Sequence, residues 1–246
     1  MQDASTSPGV ERFGCALVEL EQALDWELLG QLYCDGDGRD FFSPEQREAQ
    51  QECGLLFCGE LGERLGGAPG GRSLYVGAAL FELPLLLCET LVLGRRVSAV
   101  NLEGAECAEL NRALALVEER TELELPRIAT TGLDPIASAS CDHGWMVSVL
   151  TDPECFPAQH DALYERSGEL ATGTGDLQAE ARASAALLDA FLSKLAPGAQ
   201  LTTTDEELVL VRAACARAGR ELRLASTALL SGIVGDPVRA GRLLPR

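Results

Sequence analysis

The sequence predicts an α/β chain in which a mostly parallel, seven-stranded sheet ends in an antiparallel hairpin and follows an N-terminal helical cap. From residue 72 onward, short apolar segments of strand length alternate with amphipathic segments of helix length. The last two apolar segments are joined by glycine- and proline-containing turns that leave no room for a crossover helix. We therefore expect two domains, a helical cap over residues 1–71 and a sheet domain over residues 72–246.

The cap contains two predicted helices. Leucines spaced three or four residues apart between residues 10 and 32 are typical of one amphipathic helix. A second helix is expected to begin at Ser43-Pro44, because serine caps a helix N-terminus and proline suits the first helical position. The pair Gly66-Gly67 is expected to end it.

The sheet domain is expected to contain parallel strands joined by right-handed helical crossovers. The predicted strands lie near residues 73–77, 97–101, 127–131, 144–150, 199–204 and 221–227, with a final antiparallel strand over 238–244. The predicted helices lie near residues 81–93, 104–118, 177–195 and 205–218. The glycine-containing stretch 167–176 is expected to be a loop.

The composition is strongly acidic. Against 20 Lys and Arg, 38 Asp and Glu give the 246-residue chain a formal net charge of −18 at pH 7. Because lysine and arginine supply most of the affinity for nucleic-acid phosphates, we expect no nucleic-acid partner. The acidic surface suits a substrate that is a small molecule or a cationic protein side chain.

The sequence also predicts a cytoplasmic protein that does not cross a membrane. Its most apolar window, residues 78–93, contains Glu82, Pro84 and Glu89 and is too short and too charged to span a bilayer. The first ten residues lack the basic and apolar parts of a secretory signal. The nine cysteines show no disulfide framework, which favours free thiols in a reducing compartment. The oligomeric state stays open.

Two groups of residues raise the question of a metal site. The first contains Cys141, His143, Cys155 and His160, whose spacing fits no common structural zinc pattern. The second is the acidic segment 35–40, which lacks the glycine and the terminal glutamate of a calcium-binding loop. We therefore expect no metal.

A short turn follows the first predicted strand. Gly77 begins it, and a glycine at such a place lets the backbone bend tightly and approach a ligand. Together with the predicted sheet order, this turn resembles that of class I S-adenosylmethionine-dependent methyltransferases, a Rossmann-like family, over residues 72–246. In that family an acidic residue and a Gly-x-Gly-x-Gly turn end the first strand. Here Tyr75 stands at the acidic position, and Ala79 and Phe81 stand at the second and third glycines.

The resemblance implies that S-adenosylmethionine is the cofactor and that five positions bind it. Gly77 and Ala79 lie in the turn. Asn101 ends the second strand, where the family places a carboxylate that accepts hydrogen bonds from the ribose hydroxyls, and Glu103 follows two residues later as the alternative. Asp134 stands after the third strand, where family members often hold the adenine amino group.

The resemblance also implies a substrate loop after the fourth strand. Residues 151–157, Thr-Asp-Pro-Glu-Cys-Phe-Pro, resemble the Asn/Asp-Pro-Pro-aromatic loop of amino-group methyltransferases. Asp152 would accept a hydrogen bond from the attacking amine, and Phe156 would shield the reacting centre from water. Glu154 replaces the second proline and is predicted to contact substrate. His160 is either a general base beside this loop or a solvated loop histidine.

These features predict methyl transfer from S-adenosylmethionine to a small molecule or a protein amine. A second hypothesis is a non-catalytic scaffold or interaction protein that keeps the sheet and has lost the cofactor. A nicotinamide-dependent oxidoreductase is disfavoured, because the chain lacks a Gly-x-Gly-x-x-Gly turn.

Overall fold

Helices and strands alternate along the chain as the sequence predicts. The computed structural model describes residues 7–33, 42–232 and 235–245. These residues group into two compact units, one within residues 1–72 and 78–132 and one within residues 73–77 and 133–246. The predicted domain boundary at residue 72 stays a prediction. The acidic segment 35–40 and Cys34 lie outside the described residues.

The first unit is mainly helical. Its strands β2 and β3 pair in parallel, Ala99 opposite Ile128. Its elements are α1 (Pro8–Ala23), α2 (Trp26–Tyr33), α3 (Pro44–Leu65), α4 (Leu83–Leu87), β2 (Arg96–Val100), α5 (Ala105–Thr121) and β3 (Ile128–Ala129).

The second unit contains most of the strands. Strands β1, β4 and β5 are parallel neighbours, and β8 lies antiparallel between β5 and β6, while the short β7 also pairs with β8. Its elements are β1 (Arg72–Val76), β4 (Cys141–Met146), α6 (Pro157–Leu163), α7 (Leu177–Lys194), β5 (Leu195–Thr204), α8 (Leu208–Arg217), β6 (Arg220–Leu224), β7 (Leu229–Leu230) and β8 (Pro237–Pro245). The predicted α/β class, with mostly parallel strands and antiparallel strands at the C-terminal end, is confirmed, but the described residues form eight strands instead of seven because the two-residue β7 was not predicted.

The predicted single helix over residues 10–32 is wrong, because the structure has two helices there. The chain breaks between α1 and α2, and Asp25 caps α2 by accepting a hydrogen bond from the backbone N–H of Leu28 (3.0 Å). Two side chains of α5 hold this break. Glu109 accepts from the Asp25 N–H (2.7 Å), and Arg112 donates to the Ala23 carbonyl (2.6 Å). Both backbone groups would otherwise lack helical partners.

The start of α3 is confirmed where the sequence places it. The Ser43 hydroxyl accepts a hydrogen bond from the Gln46 N–H (3.4 Å), and Pro44 occupies the first helical position. Gly66 ends the helix.

Strand β4 lies earlier than the predicted 144–150. It begins at Cys141, and after Met146 the backbone turns, with Ser148 in the left-handed region at φ 57°. Gly144 lies at its centre, where a Cβ would come within 2.7 Å of the Phe191 ring and 2.8 Å of the Leu195 side chain. This glycine lets α7 pack closely on the sheet. The short helix α6 was not predicted.

The predicted helix 81–93 is irregular. A 3₁₀ turn (Leu80–Glu82) leads into α4, and a π-helical turn (Cys88–Val92) follows. Arg95 closes this segment by donating to the Glu89 carboxylate (2.9 Å) and to the Ala68 carbonyl (3.2 Å). Both charged side chains of the Arg95–Glu89 pair are fully buried.

We expect the substitution Arg95→Leu to lower the free energy of unfolding by about 3–5 kcal/mol, because it removes the positive charge that the buried Glu89 carboxylate is bonded to. Urea denaturation of the purified chain measures this change. The double variant Glu89→Leu/Arg95→Leu is the control and should recover much of the loss. Equal losses in both variants would show that the charge pair is not the cause.

Candidate functional site

The turn after β1 is the first candidate site, and Gly77 opens it in the left-handed region at φ 73°. A Cβ at this position would lie 2.4 Å from a methyl group of Val149. The structure thus needs glycine here for two reasons, the backbone conformation and the close approach of Val149. Both reasons are internal to the protein and require no ligand.

Three successive backbone N–H groups of this turn are paired with acceptors of the protein. The Ala78 N–H donates to the Val100 carbonyl (3.1 Å). The Ala79 N–H donates to Glu82 Oε2 (2.9 Å), and the Leu80 N–H donates to Glu106 Oε1 (3.3 Å). Two carboxylates of the chain therefore lie where an anionic or oxygen-rich ligand would need these donors.

Tyr33 completes this arrangement from α2. Its hydroxyl donates to the same Glu106 oxygen that accepts from Leu80. Burial of the phenol, and then the nearby Glu106 carboxylate, raise the pKa of Tyr33 well above its ordinary value. Tyr33 therefore stays protonated and acts as a hydrogen-bond donor to Glu106.

The predicted ribose-binding residues lie near the end of β2. Asn101 uses its side-chain amide internally: Nδ2 donates to the Ala78 carbonyl (3.0 Å), and Oδ1 accepts from the Leu102 N–H (2.8 Å). Glu103 is exposed. Asn101 therefore stabilises the turn, and Glu103 is the predicted ribose ligand that remains accessible.

Two aromatic side chains occupy positions where the family resemblance places small or acidic residues. Tyr75 is completely buried in the second unit, and its ring stacks on Trp145 with a centroid distance of 5.5 Å. Phe81 is buried in the first unit and meets Phe57 edge-on at 5.4 Å. Each ring therefore packs in the hydrophobic core of its own unit.

The second candidate site follows β4. Asp152 accepts from the N–H groups of Glu154 and Cys155 through one carboxylate oxygen (2.8 Å each), which forms a tight local turn. Glu154 is exposed and Phe156 is half-buried at the start of α6. Asp134 is exposed.

His160 is buried, so the hypothesis of a solvated loop histidine is wrong. Its side chain is 6% exposed, and its Nδ1 lies 2.6 Å from the Thr151 carbonyl. A carbonyl can only accept, so Nδ1 carries the proton, and in the neutral ring Nε2 has a free lone pair. Nε2 is buried without a hydrogen-bond partner among the described residues. This geometry suits a proton acceptor.

His160 belongs to a group of polar residues that we call the polar cluster: Thr151, His160, Tyr164, Glu206 and Asp236. The His160 and Tyr164 rings are 4.8 Å apart, and the Tyr164 hydroxyl donates to an Asp236 oxygen. Burial and the hydrogen bond to Asp236 raise the pKa of Tyr164. Burial, and then repulsion from nearby carboxylates, raise the pKa of Glu206.

The loop that carries Thr151 is held from two sides. Glu207 is fully buried and accepts from the Leu150 N–H (2.7 Å) and the Thr203 hydroxyl (2.9 Å). Gln159 donates to the Leu150 carbonyl (2.8 Å). These bonds fix the loop beside α6 and so place His160.

Several residues that shape both sites could not be predicted from the sequence. In the first, Glu82 and Glu106 stand within a few residues of predicted ligand positions, but only the fold shows that they contact the turn. In the second, Tyr164, Glu206 and Asp236 are far apart in sequence and carry no motif. The available signal was Glu206, which stands two residues after the predicted strand 199–204.

No metal site and no membrane span are found in the described part of the chain. His143, one of the residues considered for zinc, is buried in β4 with its ring nitrogens 3.3 Å from the hydroxyls of Ser73 and Thr202. No group of three potential ligands that could hold a metal ion occurs in residues 7–33, 42–232 and 235–245. None of the helices there is both long and apolar enough to cross a bilayer. Cysteines in these ranges have free thiols.

The turn does not fit S-adenosylmethionine in the predicted way. The ligand's carboxylate would require free backbone donors, but the Ala79 and Leu80 N–H groups are already bonded to carboxylates. Those carboxylates would also repel it. The Asn101 amide oxygen already accepts one hydrogen bond from the Leu102 N–H, so the exposed Glu103 is the more accessible acceptor for the ribose hydroxyls. The roles predicted for Gly77, Ala79, Asn101, Glu103 and Asp134 stay predictions.

Comparisons with known proteins give similar folds at low identity. No protein-family model and no curated protein matches the chain. Similar solved structures include a SAM-dependent methyltransferase from Aquifex aeolicus, with 14% identity and a TM-score of 0.43 over 76% of this chain and 88% of that one. Another is the B. subtilis m1A22 tRNA methyltransferase TrmK, with 12% identity and a TM-score of 0.44 over 77% of this chain and 65% of that one.

A third similar structure is the protein PH0851, with 13% identity and a TM-score of 0.46 over 80% of this chain. This chain spans 46% of the length of PH0851. Two of these three structures are methyltransferases, the class that the sequence resembles. Because the identities are low and each TM-score is below 0.5, no activity or substrate follows from them.

We expect Glu106→Ala to lower the free energy of unfolding by about 1–3 kcal/mol, because it removes the hydrogen bonds that Glu106 accepts from the Leu80 N–H and the Tyr33 hydroxyl. Thermal or urea denaturation measures the loss. Glu103→Ala is the matched control, since Glu103 is exposed on the neighbouring turn, and should change stability by less than about 0.5 kcal/mol. If both variants behaved alike, Glu106 would not be the acceptor that closes the turn.

Proposed function

We propose that this chain is a binding protein on an α/β fold of the methyltransferase type and that its turn after β1 does not take up S-adenosylmethionine. The observation that carries the proposal is the pairing of the turn's donors with Glu82 and Glu106. A ligand at this place would have to displace the Glu82 and Glu106 carboxylates, and Glu106 also accepts from the Tyr33 hydroxyl. Burial of Tyr75 and Phe81 in the core supports the proposal, because neither position is left open to a ligand.

Calorimetry with S-adenosylmethionine and S-adenosylhomocysteine tests this proposal. We expect no heat of binding and no rise in melting temperature at millimolar ligand, because a ligand that binds the native state must stabilise it. Saturable binding of either compound would overturn the proposal. The variant Glu103→Ala then locates the site, since it should weaken that binding if Glu103 holds the ribose.

The second candidate function is methyl transfer to a small molecule or a protein amine. The buried His160 favours it, because Nε2 has a lone pair available for a proton released by an amine. The Asp152 turn and Phe156 lie directly before this helix. In this function S-adenosylmethionine would supply the methyl group, and His160 would hold the proton.

If methyl transfer occurs, we expect His160→Gln to lower the rate by about 10²–10⁴-fold, the range for removing a general base. The assay follows transfer of a labelled methyl group to a primary amine. Asp161→Asn is the control, because it changes the adjacent residue, whose carboxylate binds the backbone and hydroxyl of Thr172. A rate that His160→Gln leaves unchanged would exclude His160 as the base.

A further inference from the structure

The polar cluster brings together groups from four segments of the second unit. Thr151 follows β4, and Glu206 follows β5. His160 lies on α6, Tyr164 ends that helix, and Asp236 immediately precedes β8. The carboxyl ends of parallel strands are the usual place for ligands in α/β sheets.

The cluster contains buried acceptors that lack donors. His160 Nε2, Thr151 Oγ1 and Glu206 Oε2 are each buried and have no hydrogen-bond partner among the described residues. Thr151 and His160 are 4% and 6% exposed, so bulk water does not reach them freely. An unmade hydrogen bond at a buried polar atom costs about 1–3 kcal/mol. The imidazole nitrogen and the carboxylate oxygen can only accept here, and a hydroxyl can also accept, so a group that donates hydrogen bonds would suit this cluster.

The charge of the cluster points to a cation. Asp236 is buried and accepts from the Tyr164 hydroxyl, which brings no positive charge. The nearby Arg239 is bonded through two nitrogens to Asp205 (2.6 and 2.9 Å). Repulsion from Asp236 and Asp205 adds to burial in raising the pKa of Glu206. A bound cation would relieve this repulsion.

The types of acceptor in the cluster favour an organic cation over a metal ion. A metal ion is disfavoured, because no three potential ligands in the described ranges converge on one point. An imidazole nitrogen, a hydroxyl and a carboxylate spread over separate elements are better matched by a cation that carries several N–H groups. The face of the Tyr164 ring already accepts one guanidinium, since Arg166 lies 5.6 Å above it.

We propose that the polar cluster binds the guanidinium or primary ammonium group of an organic cation. Its N–H groups donate to His160 Nε2, Thr151 Oγ1 and Glu206 Oε2, and Asp236 and Glu206 balance its charge. This inference deepens the proposed binding function and names its ligand class. It requires no S-adenosylmethionine.

The test uses the whole chain with methylguanidinium and methylammonium as probes. Because the chain has only two histidines, ¹⁵N NMR of the imidazole rings resolves His160 from the internal reference His143. We expect either probe to shift the His160 Nε2 resonance saturably and to leave His143 unchanged. Calorimetry should give the same dissociation constant. Tetramethylammonium, which has the charge but no N–H group, should have no effect.

Two substitutions in the polar cluster test whether the probes bind there. Glu206→Gln should weaken probe binding by about 10- to 100-fold, the contribution of a hydrogen bond to a charged group. Thr151→Val keeps the side-chain shape and removes one acceptor, so a smaller loss is expected. Glu221→Gln, at an exposed position on β6, is the control for the same change in net charge and should bind as the unmodified chain does.

Three outcomes would overturn the inference. An unchanged His160 resonance at saturating probe would mean that no probe donates a hydrogen bond to Nε2. An equal response to tetramethylammonium would mean attraction by the net charge of −18 alone. Equal losses in Glu206→Gln and Glu221→Gln would place the cation elsewhere. Binding of S-adenosylmethionine would overturn the proposed function and leave this inference standing.

Discussion

The backbone N–H groups that follow β1 must find acceptors, and the chain supplies these from its own carboxylates. Glu82 and Glu106 accept from Ala79 and Leu80, and Tyr33 adds a hydroxyl to the same network. A buried donor without a partner is costly, so this pairing constrains the turn, the start of α5 and the end of α2 together. Internal hydrogen bonds therefore satisfy these backbone donors of the turn.

In the polar cluster of the second unit, acceptors lack donors, whereas in the turn after β1 each of the named donors has an acceptor. Its carboxylates, hydroxyl and imidazole nitrogen outnumber the donors that the described residues direct at them. Closely packed interiors rarely keep such a surplus unless water or a ligand completes it. Glu207 and Gln159 bond the backbone of Leu150 and so fix the loop that carries Thr151. A preformed binding site requires that the residues around it be held in place, as this loop is by its hydrogen bonds.

The N-terminal helices show why part of the site could not be predicted from the sequence. Leucine spacing between residues 10 and 32 fits one helix, yet Glu109 and Arg112 of α5 stabilise a break after α1. That break sets where α2 begins, and α2 carries Tyr33 to Glu106. The contacts join residues more than 70 positions apart. Local periodicity carries no information at that range.

The sequence by itself determined the α/β class, the alternation of strands and helices, the antiparallel C-terminal strands and the start of α3 at Ser43-Pro44. Local rules decide these features: hydrophobic period, helix capping and the space available for a crossover. It also singled out His160. Only the tertiary structure decided that His160 is buried with a free Nε2, that Asn101 bonds the backbone of its own unit and that Glu106 closes the turn. Hydrogen bonding and burial depend on which distant groups the fold brings within about 3 Å, and the order of residues does not specify that distance.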